Sequence, residues 1–176
     1  TVRALLDRLE PAPAFVAGPA GDLLAHNAGF ESLARPVGLL DPAEPNLARY
    51  VFTDARARET FPDWESVADE RAAALRAAAD LGDFAAAILA EELSITIGME
   101  FGRRFAASAV LPAWTGAECW RHPAAGALRL AYESLALPGV QEHRLVAYLP
   151  ADAATADALA RLTPAPAAAE PVGRRS

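Results

Sequence analysis

The apolar residues of this 176-residue chain change their spacing once, at Pro112. Before that point they recur near every fourth position, the period of one helical face; after it they alternate, as on one face of a strand. Between positions 64 and 79, Trp64, Val67, Ala68, Leu75 and Ala78 share a helical face, with Pro62-Asp63 to open the helix and Gly82 to close it. Between 127 and 137, Leu128, Leu130 and Tyr132 alternate to one side, and 143–149 repeats the pattern with Leu145, Ala147 and Leu149 opposite Val146 and Tyr148. Residues 117–121 predict a further strand, with HPAAG and PGVQ as the turns between them.

The part before residue 64 adds two strands and more helices. Residues 2–9 predict a short amphipathic helix with Val2, Leu5 and Leu6 on one side, ended by Pro11 and Pro13. The runs 15–17 and 22–25 flank a GPAG turn. Asn27 is placed to cap a helix over 28–34, Asn46 one over 47–52, and Asp54 a short one through Thr60. Asp83 starts a helix with Phe84, Ala87 and Ile88 inward, and 101–107 forms another, stopped by Pro112. An Ala-rich helix over 152–162 follows the last strand, and 164–176 reads as a loose tail after one domain, 1–163. Two strands, a run of helices and three strands predict an α+β two-layer domain. Its antiparallel sheet has about five strands, with helices on one face and room for a cavity between the layers.

Composition narrows the function classes. The net charge is −7 and every one of the sixteen basic residues is Arg, scattered rather than massed, which is a poor footprint for nucleic acid. The Arg-only, Ala-rich usage is that of a GC-rich genome and warns against over-reading single Arg or Ala residues. No apolar run reaches the ~18 residues of a membrane span, and no signal-peptide core precedes Phe15. Cys119 is the only cysteine, which fits a reducing cytoplasm. It lies three residues from His122 in a strand, so the two side chains point to opposite faces, and the thiol reads as buried and inert. His26, His122 and His143 match no zinc spacing, and neither GxSxG nor a phosphate loop occurs. Glu91-Glu92 and Asp69-Glu70 read as solvated helix faces. No catalytic residue, metal site or cofactor is expected.

One stretch is unusually dense. PNLARYVFTDARARETFPDW, from Pro45 to Trp64, sets Tyr50, Phe52, Phe61 and Trp64 among arginines. Its bland reading is a structural corner in which Arg49 and Arg58 bond helix ends or pair with Asp63 or Glu65. Its functional reading turns Arg58 or Arg76 into the cavity to hold an acidic head group.

This stretch resembles the ligand-binding domain of the MmyB-like transcription regulators, bacterial proteins in which an XRE-type helix-turn-helix precedes a PAS-like sensor domain. The resemblance rests on Asn46-Leu47-Ala48-Arg49, Phe52, Arg58, Trp64 and Leu75-Arg76. It extends upstream to Pro13-Ala14-Phe15-Val16 and Ala25-His26-Asn27. Downstream it takes in Glu100-Phe101, Val110, His122-Pro123, Gly126, Tyr132, Leu135-Ala136-Leu137-Pro138 and Arg144-Leu145-Val146, covering roughly 4–162. Pro45, His26 and Phe105 depart from the family's Arg, Trp and Trp, and the Ser-Pro expected near 97–99 is missing. The resemblance implies a sensor half without its helix-turn-helix, touching DNA only through that missing part and binding an apolar, fatty-acid-like molecule. The site expected from both readings joins Leu128, Leu130 and Tyr132 of the sheet to Phe52, Trp64, Phe84 and Phe101 of the helices, with Arg58, Arg76 and His122 to orient a head group. A homodimerisation module with a vestigial pocket, or a small lipid-carrier or enzyme domain, remains the alternative. From the acidic charge we expect this chain alone not to retard duplex DNA in a mobility-shift assay; salt-dependent binding near micromolar concentration would contradict that.

Overall fold

The computed structural model describes residues 1–107, 113–139 and 142–163. The expected tail over 164–176, the Pro112 helix stop, Val110 and the Val140-Gln141 half of a turn lie outside the described residues. Strands β1 (Ala14–Ala17), β2 (Leu23–His26), β3 (Thr115–His122), β4 (Gly126–Leu137) and β5 (His143–Pro150) form one antiparallel sheet in the order β2-β1-β5-β4-β3. The first strand therefore lies beside the last, with Phe15 opposite Val146. Alternation holds along β3 and β4, where Glu118, Trp120 and His122 and Leu128, Leu130 and Ser134 are buried and their neighbours mostly are not; β5 is covered on both faces and buries Tyr148 on one and Leu145 on the other.

Helices α2 (Ala28–Ala34), α3 (Leu47–Thr53), α4 (Arg56–Thr60), α5 (Trp64–Asp80), α6 (Phe84–Thr96) and α7 (Met99–Ala106) share one continuous core with Phe15, Trp120, Leu128, Leu130 and Tyr148 of the sheet. Helix α8 (Ala153–Leu162) adds Ala158 to it. This is the expected two-layer α+β domain, consistent with a PAS-like arrangement. Helix α1 (Val2–Arg8) is the exception, because Leu6 packs on Ala14, Val16 and Leu145 from the other side of the sheet. Val2 and Leu5, expected beside Leu6, stay half exposed, since that side offers only a narrow apolar strip.

Helix starts follow the sequence closely. Asn27, Asn46, Asp63, Asp83 and Asp152 each accept from the N–H three residues on, each such cap being worth about 1 kcal/mol. Asn27 also accepts from Ala14 N–H and donates to the Leu6 and Ala12 carbonyls, so one buried amide joins α1, β1 and α2. Glu10 accepts from the N–H groups of Ala28 and Gly29, and a Cβ at Gly29 would lie 2.6 Å from the Pro11 carbonyl oxygen, so only glycine fits there. Gly82, at φ +90°, turns the chain from α5 into α6. Asp54 departs from expectation: it sits one residue before the N-cap Ala55, where it accepts from Arg56 N–H and grips the Arg56 guanidinium.

Two inward assignments are corrected. Phe84 is 77% exposed, and Ala87 and Ile88 also face out; α6 buries Ala86, Leu89, Ala90 and Leu93 instead. This helix is apolar nearly all round, so its period could not choose a face, and packing against α5 and α7 decides it. Cys119 is exposed rather than buried, because Glu118 and Trp120 on either side take the inner face of β3. No helix among the described residues is long and apolar enough to cross a membrane.

Two predictions follow from this packing. Trp64 is buried, donates from Nε1 to the Val51 carbonyl at 3.0 Å and meets Phe52 edge to face; Trp64→Ala should lower unfolding stability by ~3–5 kcal/mol in denaturant titration. His122 Nδ1 accepts from the N–H groups of Ala124 and Ala125, both at 3.1 Å, and so holds the β3–β4 turn. Burial pushes its pKa below the usual value despite the Ser32 and Leu33 backbone. The folded chain therefore takes up this proton less readily than the unfolded one. The contribution is complete above the unfolded pKa of about 6.5 and is lost as pH falls through the lower folded value. Melting temperature should drop on acidification below that point, and His122→Asn, which keeps an acceptor but does not titrate, should flatten the drop.

Candidate functional site

A cavity of about 580 Å³ opens between the sheet and α5. Its floor is Phe15 and Ala17 of β1, Tyr132 and Ser134 of β4, and Val146 and Tyr148 of β5. Its roof is α5, which presents Ala73, Ala74, Ala77 and Ala78 together with Leu75. Small side chains at four positions are the reason the space is there: larger residues on these turns would reach the sheet and fill it. The β1–β2 turn, from Gly18 to Gly21, with Leu47 and Ala48 of α3, closes one side, and Glu142 and Arg144 stand at another.

One end of the cavity is charged. Arg71 on α5 and Glu118 on β3 face each other across it, with Nη2 3.6 Å from Oε2. That is an ion pair without a hydrogen bond. Glu118, only 7% exposed, is otherwise well served: Trp120 Nε1 donates to Oε1 at 2.9 Å and the Tyr148 hydroxyl donates to Oε2 at 3.3 Å. Arg71 is not, since its Nε is buried and has no acceptor. Burial works against its charge, but Glu118 and the other groups nearby outweigh that and raise its pKa, so it stays a guanidinium. Burial, reinforced by Glu118, raises the Tyr148 phenol well above its usual value, and burial with Glu70 and Glu118 raises Tyr132. Both phenols therefore remain donors. The end of the cavity thus offers an under-used cation and neutral hydroxyls beside a carboxylate already supplied with donors. It can pair with and hydrogen-bond an acceptor group.

Of the ten residues expected at the site, Tyr132 lines this cavity. Phe52, Trp64 and Phe101 form a filled aromatic cluster, with Phe52 and Phe101 ring centroids 5.0 Å apart. Leu128 and Leu130 are core residues away from the opening. Arg58 stacks over Trp64 at 3.6 Å and pairs with Glu100 at 2.7 Å, while Arg49 pairs with Glu92 rather than Asp63 or Glu65. Arg76 pairs with Asp80 and donates to the Phe105 carbonyl. Phe84 is on the surface, and His122 holds its turn. Asp69 and Glu70 are exposed, as expected of a solvated face, and also border the cavity, with Asp69 and Glu65 gripping Arg104.

Sequence reasoning missed Arg71 and Glu118. The signals were present: a glutamate at an inward position of an alternating strand, and an arginine followed by a run of alanines on the helix above it. Among the described residues no group of three His, Cys, Asp or Glu is placed to hold a metal ion. No curated protein matches the chain. Residues 1–162 match the family model described as the MmyB-like transcription regulator ligand binding domain, and the chain belongs to that family.

Proposed function

We propose that the chain is the sensing domain of a helix-turn-helix transcription regulator, and that it binds an apolar, fatty-acid-like molecule without transforming it. The carrying observation is Arg71: a guanidinium on the wall of an otherwise largely apolar cavity, with a buried Nε that has no acceptor. A carboxylate satisfies such a group best, because it presents two acceptor oxygens to the planar fork. Tyr132 donates beside it. The ligand's chain runs along Phe15, Val146 and the alanines of α5. Phe52, Trp64, Phe101, Leu128 and Leu130 support the walls from behind. A volume near 580 Å³ falls within the usual span of small-molecule sites, roughly 300–1,000 Å³. Burying ten methylenes contributes ~8 kcal/mol before ordering costs, ample for micromolar binding.

The test is thermal stabilisation by fatty acids of about 10–16 carbons against the matching alcohols. Fatty acids should raise the melting temperature with concentration. In Arg71→Gln the loss of a charge-assisted hydrogen bond should weaken carboxylates by ~10–100-fold and leave alcohols nearly unchanged. If none of these compounds shifts melting, the apolar-ligand reading fails. If acids and alcohols suffer equally, Arg71 is not the head-group partner.

A further inference from the structure

Strand β4 turns Leu128, Leu130, Tyr132 and Ser134 to the inner face of the sheet, where the first two join the core and the last two line the cavity. Ser134 is the odd member of this row. It is only 9% exposed, and its hydroxyl has no hydrogen-bond partner among the described residues. Its backbone is engaged, pairing with Val146 and donating from N–H to the Trp114 carbonyl at 2.7 Å. A serine side chain is one carbon and one oxygen, so a serine on the cavity floor offers the cavity its hydroxyl. The neighbours leave that hydroxyl open. Tyr132 lies over Gly116 of β3, where a Cβ would come within 2.6 Å of the phenol oxygen, so its ring leans across the sheet rather than along β4 over Ser134. Val146, beside Ser134 on β5, has no polar group, and the roof of the cavity is mostly alanine.

We propose that Ser134 recognises an oxygen part-way along the ligand, so that the ligand class is a fatty acid with a hydroxyl or ketone in mid-chain. This rests on the reading of the cavity as a fatty-acid site with Arg71 and Tyr132 at the head group. A plain chain running along Val146 would cover the Ser134 hydroxyl, strip its water and give it no partner, which disfavours that ligand. An oxygen at the matching depth completes the hydrogen bond. An oxygen at another depth would itself be buried among apolar groups. Position is thus selected from both sides, as in sites that reject analogues lacking a hydroxyl they are built to bond. The strand gives the depth. Ser134 stands two residues beyond Tyr132, ~7 Å along β4. That spans about five or six carbon–carbon bonds of ~1.5 Å in an extended zigzag, which puts the oxygen at about the sixth carbon.

The experiment is a positional scan by thermal stabilisation. It uses saturated acids of about twelve carbons with one hydroxyl at successive positions, alongside the unsubstituted acid. The acid hydroxylated near the sixth carbon should bind about tenfold tighter than those hydroxylated well away from it, which leave two hydroxyls unpaired. Ser134→Ala should abolish this preference and bind the unsubstituted acid about threefold tighter or more, since no hydroxyl is then covered. Ser134→Thr, which keeps the hydroxyl, should keep the preference. If the unsubstituted acid stabilises the chain but no position is preferred, or if the preference survives in Ser134→Ala, the mid-chain oxygen is overturned and the fatty-acid reading stands. If no acid of either kind stabilises the chain, the fatty-acid reading fails and this inference fails with it.

Discussion

The fold hangs on a buried amide. Asn27, 1% exposed, uses its oxygen to start α2 and to hold β1, and its nitrogen to take up carbonyls from α1 and the segment that follows it. Each of these groups left unpaired in the interior would cost about 1–3 kcal/mol, so no other side chain serves there at similar cost. Asn46 does the corresponding work at the turn end of the β1–β2 hairpin. It donates to the Ala20 carbonyl and Asp22, and it caps α3 by accepting from Arg49 N–H. The Asp22–Asn46 bridge and the bonds from Leu23 to Pro45 and from Leu47 to Gly21 finish the joint. The helical layer is thus pinned at both ends of one short hairpin, and that hairpin lies beside β5. Closing the sheet and placing the helices over it are a single event.

This explains why so much of the fold was legible. Caps and alternation are local signals, and here local preference agrees with the final packing: the asparagines, Asp63 and Asp83 all act where the sequence placed them. What could not be read is which side of an ambiguous element meets its neighbours. Helix α6 offers apolar residues on every side, so Phe84 and Ile88 were as plausible inside as Leu89 and Leu93. Only the positions of α5 and α7 distinguish them, and those are tertiary facts. Helix α1 was legible as a helix but not as one that crosses to the far face of the sheet.

The cavity was misplaced for a related reason. Large aromatic residues attract attention as potential pocket walls, yet Phe52, Trp64, Phe101 and Phe105 pack edge to face or stacked and leave no room. Space arises where side chains are small. The alanines of α5 were discounted as compositional, and it is they that hold the roof away from the sheet. Arginines were weighed against partners near in sequence, Asp63 and Glu65, whereas the fold gives Arg49 and Arg58 the distant Glu92 and Glu100. Arg58 and Arg76 each have an exposed carboxylate at hydrogen-bonding distance, which satisfies them at the surface. Arg71 has a carboxylate at ion-pair distance only, and that carboxylate is buried while the arginine is partly exposed on the cavity wall. Its charge is compensated but its hydrogen-bonding capacity is not, and that is what the proposed head-group role rests on; Arg104 on the same lining also has an unpaired Nε, but Glu65 and Asp69 take its terminal nitrogens.

Glu118 ties this cavity to the sheet edge. Its carboxylate lies in the cavity beside Arg71, while its neighbours Ala117 and Cys119 turn their backbone groups away from the sheet on the open side of β3. Any acceptor that engages Arg71 competes with Glu118 for the same charge. Glu118 would keep its bonds to Trp120 and Tyr148 but lose electrostatic support, and its position on β3 would have to absorb the change. A ligand shifts a second equilibrium only by its differential affinity for the two states. The size of any coupling between cavity and edge is therefore bounded by what the Arg71–Glu118 pair gives up on binding. The pair has no hydrogen bond to break, but moving Arg71 away would leave the buried Glu118 carboxylate without its cation, so a ligand is admitted at low cost, and the coupling through this strand stays modest, only where Arg71 remains beside Glu118. A large response would need a second path, and the cavity walls offer one in α5. That helix roofs the cavity and packs on α3, α6 and α7, so pressure from an occupant would spread through the layer that the two asparagines pin.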